Sequence, residues 1–161
     1  MPLMKHKKTN AMRILEKANI GYEINTYDVT HKHMDGATVA QIVGVDVNVV
    51  YKTLVLENAQ HECFVFVIPV ESTLNMKQAA HNAQQKKLTL LPLEQLKQVT
   101  GYVRGGCSPI GMKKHFPTYI DESALNLQNV YVSGGERGMQ IKLNTKDLIK
   151  IARAEVANII E

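Results

Sequence analysis

The chain has 161 residues, 45% hydrophobic and 21% charged, which is the size and balance of one globular domain with a core of its own, spanning residues 1–161. No apolar stretch approaches the ~20 residues of a membrane helix, and the basic start, Met1 to Asn10, lacks the apolar segment of a signal peptide, so a cytoplasmic location is expected. A net charge of +4 is too mild to name a partner, and Cys63 and Cys107 form no C-x-x-C pair, so neither a disulfide nor a zinc site is indicated.

Thr9 is placed to cap a first helix carrying Ala11, Ile14, Leu15 and Ala18 on one face, with Gly21 at its end. Tyr22 to Tyr27 alternates as a strand. The segment from Asp28 to Gly36 reads as a polar loop, and its His31-x-His33 pair lacks the further ligands a metal needs. Ala37 to Val43 is a short helix closed by Gly44, and Asp46 caps a further turn through Val50. Strands follow at Lys52 to Leu56 and Cys63 to Ile68, with Asn58, Ala59 and Gln60 turning a hairpin between them. Pro69 ends the second strand. Helices over Asn75 to Gln84 and Leu93 to Val99 bracket a short strand at Leu88 to Leu91. Thr118 to Ile120, Val130 to Ser133 and Met139 to Leu143 supply more strands. Asn144, with Asp147 at the reciprocal position, caps a last helix. Helices and strands mix without steady βαβ alternation, so the expected class is α+β.

Seven of the ten glycines fall in two polar runs, Gly101 to Gly111 and Ser133 to Gly138. Glycine weakens regular structure but lets a ligand approach the backbone closely. Two such runs beside strands suggest a pocket walled by peptide N–H groups, suited to a carbonyl oxygen, a carboxylate or a phosphate. The alternative is two ordinary loops; Arg104, Ser108, Ser133 and Arg137 within them favour function. Lys113 and Lys114, just past the first run, could meet phosphates flanking a bound ligand.

Familiar catalytic patterns are missing. Met112 separates Gly111 from Lys113 and Pro109 sits inside the loop, which rules out a phosphate-binding P-loop. Ser108 stands in no nucleophile elbow. Cys107 has no evident base and reads as a small packing residue, and Cys63 as core. Lys52, at the mouth of an apolar strand, either extends to solvent or binds a ligand oxygen; spacing leaves both open.

Three segments occur together in order: Val50-Tyr-Lys52-Thr-Leu-Val, Thr100-Gly-Tyr-Val-Arg-Gly-Gly-Cys-Ser-Pro-Ile-Gly111 with Lys113-Lys114, and Val130-Tyr-Val-Ser-Gly-Gly-Glu-Arg-Gly138. Jointly they resemble the YbaK-type Cys-tRNA(Pro) deacylases, relatives of the editing domain inserted in bacterial prolyl-tRNA synthetases. The resemblance runs over nearly the whole chain. It implies a single α+β domain with helices around a mixed, barrel-like sheet. The implied activity is removal of cysteine mischarged on tRNA(Pro), without cofactor or metal. Implied partners are the charged tRNA and prolyl-tRNA synthetase; apart from the resemblance, a monomer is the default expectation.

By the same resemblance Lys52 is the essential lysine, with Gly105 and Gly106 stabilising charge at the reacting ester. Tyr27, Thr53, Ser108, Ser133 and Gly134 line the substrate pocket. By their place in the two runs Gly101 and Arg137 are expected to join them, and Lys113 and Lys114, just past the first run, to hold tRNA. Two positions depart from the family pattern. Met34-Asp35-Gly36 replaces an aromatic before the glycine, and Gln140 stands where some relatives are acidic. Both bear on whether cysteine or alanine is preferred. A non-catalytic RNA-binding module is the alternative from another functional class.

Overall fold

The computed structural model describes residues 8–29 and 34–161. Five helices and eight strands follow one another in these segments: α1 Asn10–Lys17, β1 Tyr22–Thr26, α2 Gly36–Val43, β2 Tyr51–Glu57, β3 Cys63–Pro69, α3 Met76–Asn82, β4 Thr89–Leu90, α4 Leu93–Thr100, β5 Thr118–Asp121, β6 Asn129–Ser133, β7 Met139–Asn144, α5 Thr145–Ile151 and β8 Ala154–Ala157. The expected α+β class is what forms. His31 and His33 lie outside the described residues.

Side-chain caps start most of the helices, and two of the caps, Asp35 and Asn75, stand at positions read from the sequence as loop and as helix. Thr9, Asp35, Asn75 and Asn144 each accept a backbone N–H from the first turn of α1, α2, α3 and α5. Asp46 does the same for a 3-10 turn over Val47–Val49. The hairpin between β2 and β3 turns on Asn58, whose side-chain oxygen takes the N–H groups of both Gln60 and Glu62.

Two sheets result. β4, β2, β3, β5 and β8 form the larger in that order, antiparallel through β3 and parallel from β3 to β8. β1, β7 and β6 form an antiparallel second sheet. A parallel bridge between Val50 and Tyr131 joins them, and the whole is not closed into a barrel.

The β2–β3 ribbon feeds two cores. Tyr51, Val55, Val65 and Val67 join α1, the second sheet and α5 in the larger one. Leu56, Phe64, Phe66 and Ile68 pack with α3, Tyr119 and Ile159 in the smaller. β8 and a second 3-10 turn, Glu122–Asn126, were not expected from the sequence. β8 is four residues long and half exposed, and its partner β5 lies far away in the chain, so no local pattern announces it. No described helix is long and apolar enough to cross a membrane.

Candidate active site

A cleft of about 580 Å³ lies where the two sheets meet. Five consecutive residues, Val50 to Leu54, line it. A sheet face would offer only every second residue to one cavity. The exception arises because β4 pairs with β2 only at Leu56 and Glu57, so the first half of β2 keeps an open edge. Residues of both faces, Lys52 and Leu54 from one and Tyr51 and Thr53 from the other, therefore border the same space.

Lys52 makes no ion pair among the described residues. Across the cleft stand Arg104, Gly105 and Cys107 from the first glycine run, Ser133 at the end of β6, and Gln140 on β7. Tyr27, just after β1, and Asp35, Gly36 and Val39 from the start of α2 complete the rim. Burial pushes the Tyr27 phenol above its ordinary value.

The two runs are fastened to each other and to α1. Ser133 Oγ donates to the Gly105 carbonyl at 3.4 Å. Gly106 presses backbone to backbone on Glu136, where a Cβ would come within 2.7 Å of its carbonyl carbon, so only glycine fits. At the first turn of α1, Thr9 Oγ1 donates to the Gly134 carbonyl at 2.6 Å and Asn10 Nδ2 to the Gly111 carbonyl at 2.7 Å. A single helix end thus holds both loops in place. Among the described residues no acceptor takes up the N–H of Gly105 or Cys107, and both residues line the cleft.

Among the described residues three side-chain oxygens are buried without a partner: Thr53 Oγ1 and Gln140 Oε1, whose residues line the cleft, and Thr145 Oγ1 at the start of α5, away from it. Gln140 is 4% exposed. A buried polar atom left unpaired costs about 1–3 kcal/mol. Two at one cavity mark a place prepared for a polar guest.

Not every residue expected in the pocket stands there. Lys52, Thr53, Gly105, Ser133 and Tyr27 come together. Ser108 is fully buried, with its hydroxyl accepting the Ile110 N–H, so it holds the turn behind the wall. Gly106 and Gly134 are buried beneath the cleft, Gly134 against Met139 and Ile141. Gly101 closes α4 beside the Lys113 side chain. The stem of Arg137 lies against Gly105, and the residue lines an adjoining hollow of about 460 Å³ that shares Tyr27 with the cleft.

Lys113 Nζ donates to the Gln98 carbonyl, and Lys114 Nζ sits 5.4 Å from the centre of the Phe116 ring; neither lines the cleft. Cys107, read as a packing residue, is indeed buried but belongs to the cleft wall. Burial pushes its thiol up to about 12, an effect that a hydrogen bond with Thr100 moderates. At neutral pH it carries its proton and is a poor nucleophile. No group of three or more metal-ligating side chains occurs among the described residues.

Comparison with known proteins places this architecture. Residues 31–151 match the family model of the aminoacyl-tRNA editing domain. The chain belongs to that family. Deacylation of charged tRNA is what such an editing domain does. EbsC of Enterococcus faecalis, provisionally named a Cys-tRNA(Pro)/Cys-tRNA(Cys) deacylase, is 39% identical over 95% of this chain and 93% of its own. YwhH of Bacillus subtilis, uncharacterised, is 28% identical over 80% of this chain and 83% of its own. A crystal structure provisionally described as a trans-editing enzyme for prolyl-tRNA synthetase superposes with a TM-score of 0.83 at 24% identity, over 94% of this chain and 95% of the other. That likeness establishes the shared fold of this editing domain.

Proposed function

We propose that the chain is a free-standing trans-editing deacylase that releases cysteine wrongly esterified to tRNA(Pro), with the thiol of the substrate as the nucleophile. The observation that carries this reading is the make-up of the cleft: one unpaired ammonium, two peptide walls and a protonated thiol, among described residues that offer no activated side chain. An aminoacyl ester is already activated, so holding and stabilising it is enough.

In this mechanism the cysteine sulfur bonds to its own ester carbonyl carbon and the carbon–oxygen bond to the ribose breaks. The ribose oxygen leaves with the thiol's proton, and water later opens the thiolactone to free cysteine. An attack held within one molecule reaches effective molarities of about 10⁵–10⁸ M, less the strain of a small ring. The N–H groups of Gly105 and Cys107 receive the developing negative charge, as an oxyanion hole does. Gln140 Oε1 and Thr53 Oγ1 find their missing partners in the α-ammonium group. Lys52 holds either the ester carbonyl or the phosphate of the terminal adenosine. The two roles separate kinetically, since a carbonyl contact acts on kcat and a phosphate contact on KM.

The names of EbsC and of the trans-editing structure support tRNA(Pro) as carrier and prolyl-tRNA synthetase as the partner that supplies tRNA identity. The deciding experiment offers purified protein Cys-tRNA(Pro) and Ala-tRNA(Pro) in parallel. Cysteine release with alanine retained is the expected result. Equal release of both would replace the substrate thiol by a bound water, and binding without release of either would make the chain a binding module.

A further inference from the structure

Lys114, His115 and Arg153 converge on a second cleft, of about 240 Å³, that plays no part in the chemistry above. One wall is the far end of the first glycine run, Pro109 to Met112; the other is Ile151 to Arg153, where α5 gives way to β8. No carboxylate lines it, and none of the three basic residues is in an ion pair among the described residues. Like charges gathered in a recess with no counter-charge repel one another, and such a recess concentrates anions from solution.

The repulsion is registered locally. Loss of hydration, and then the charge of Arg153, lower the proton affinity of His115 below its ordinary value. Lys114 rests its ammonium over the Phe116 ring, which is itself part of the wall, so its charge is kept at the recess. Arg153 ends α5 in left-handed backbone, φ 49°, a setting in which glycine or asparagine is more comfortable than arginine. The space is below the roughly 300–1,000 Å³ of pockets that enclose whole metabolites. It suits one small anion group.

We propose that this cleft is a phosphate subsite that grips a backbone phosphate of the tRNA whose charged end occupies the first cleft. The connection is the glycine run itself: Gly105 and Cys107 line the first cleft and Pro109 the second, so one continuous stretch of chain borders both. In this proposal a polyanion seated in the first cleft follows that stretch of chain to the second. The inference rests on the editing reading, and free inorganic phosphate is the other source of the same chemistry.

The test follows the ring signals of His115 by NMR in the full-length protein, on adding an uncharged RNA hairpin copying the tRNA acceptor arm, or inorganic phosphate alone. The hairpin should shift these signals at micromolar concentration and raise the pH at which the ring titrates. The paired change Lys114→Gln with Arg153→Gln, which keeps both aliphatic stems, should erase the shift. It should also raise KM for charged tRNA several-fold and flatten its salt dependence by about 0.7–0.9 in log–log slope for each phosphate no longer held. Lys150→Ala, on α5 but outside the cleft, should leave that slope in place. A silent His115 with the hairpin, or a response only to millimolar inorganic phosphate, overturns the proposal. Deacylation by the wild-type protein is scored separately, so a failed subsite and a failed editing reading give different results.

Discussion

β2 behaves as two strands in succession. Its last two residues lie between β3 and β4, and Val55 and Leu56 are buried in the two cores. Its first half is paired with β3 alone, and the free edge is where Lys52 and the unpartnered hydroxyl of Thr53 enter the cleft. In sequence the two halves form one β-rich run, with Lys52 and Thr53 its polar start. Chemistry becomes available where one edge is left open, and stability accumulates where both are taken.

Substitutions can break or sharpen that contrast. The largest expected effect belongs to the closed half: Leu56→Ala, at a fully buried position, should cost about 2–5 kcal/mol of unfolding free energy in a denaturant titration. Deacylation at low temperature should stay near wild type, because Leu56 does not line the cleft. Next is Lys52→Ala, for which deacylation should fall about 10²–10³-fold or more, the scale of losing a charge-stabilising group. Its melting temperature should be unchanged, and retained activity would remove Lys52 from the mechanism.

Thr53→Val keeps the shape and deletes the orphaned hydroxyl. It should stabilise the fold by about 1 kcal/mol while lowering activity several-fold, a stability-for-function exchange confined to the open half. The smallest effect is that of Cys107→Ala, expected within about twofold of wild-type activity on the scale of a minor packing change. Its signature lies in pH. The buried thiol titrates at about 12 against an ordinary 9.0, so unfolding releases its proton above pH 9 and wild-type stability falls from there toward 12. The variant should lose less stability across that window, with no change below it.

The local devices of the fold were legible. Thr9, Asp46 and Asn144 announce helix starts because a capping oxygen acts within one turn, and Asn58 announces the hairpin for the same reason. β8 was not legible, since its pairing with β5 is decided by distant residues. In the site, the three motifs bring Lys52, Gly105 and Ser133 to one cleft. What they do not reveal is which glycine faces the guest. Gly105 lines the cleft and its neighbour Gly106 is pressed under it, a difference set by one peptide's direction. Gln140 was noticed only as a departure from the family pattern, yet its orphaned oxygen is among the clearest marks of the site. Burial without a partner is a property of packing, and a sequence does not display it.

A single rung, Val50 to Tyr131, stitches the two sheets together beside the cleft. The cleft is lined by Lys52 and Thr53 from one sheet and by Ser133 and Gln140 from the other, so a guest that fills it bridges both. It therefore acts as a rivet across the seam, and a non-cleavable cysteinyl-adenosine mimic at a hundredfold excess over its Kd should add about 2.7 kcal/mol to the unfolding free energy. Before any turnover is measured, heat alone would report whether the seam has been filled.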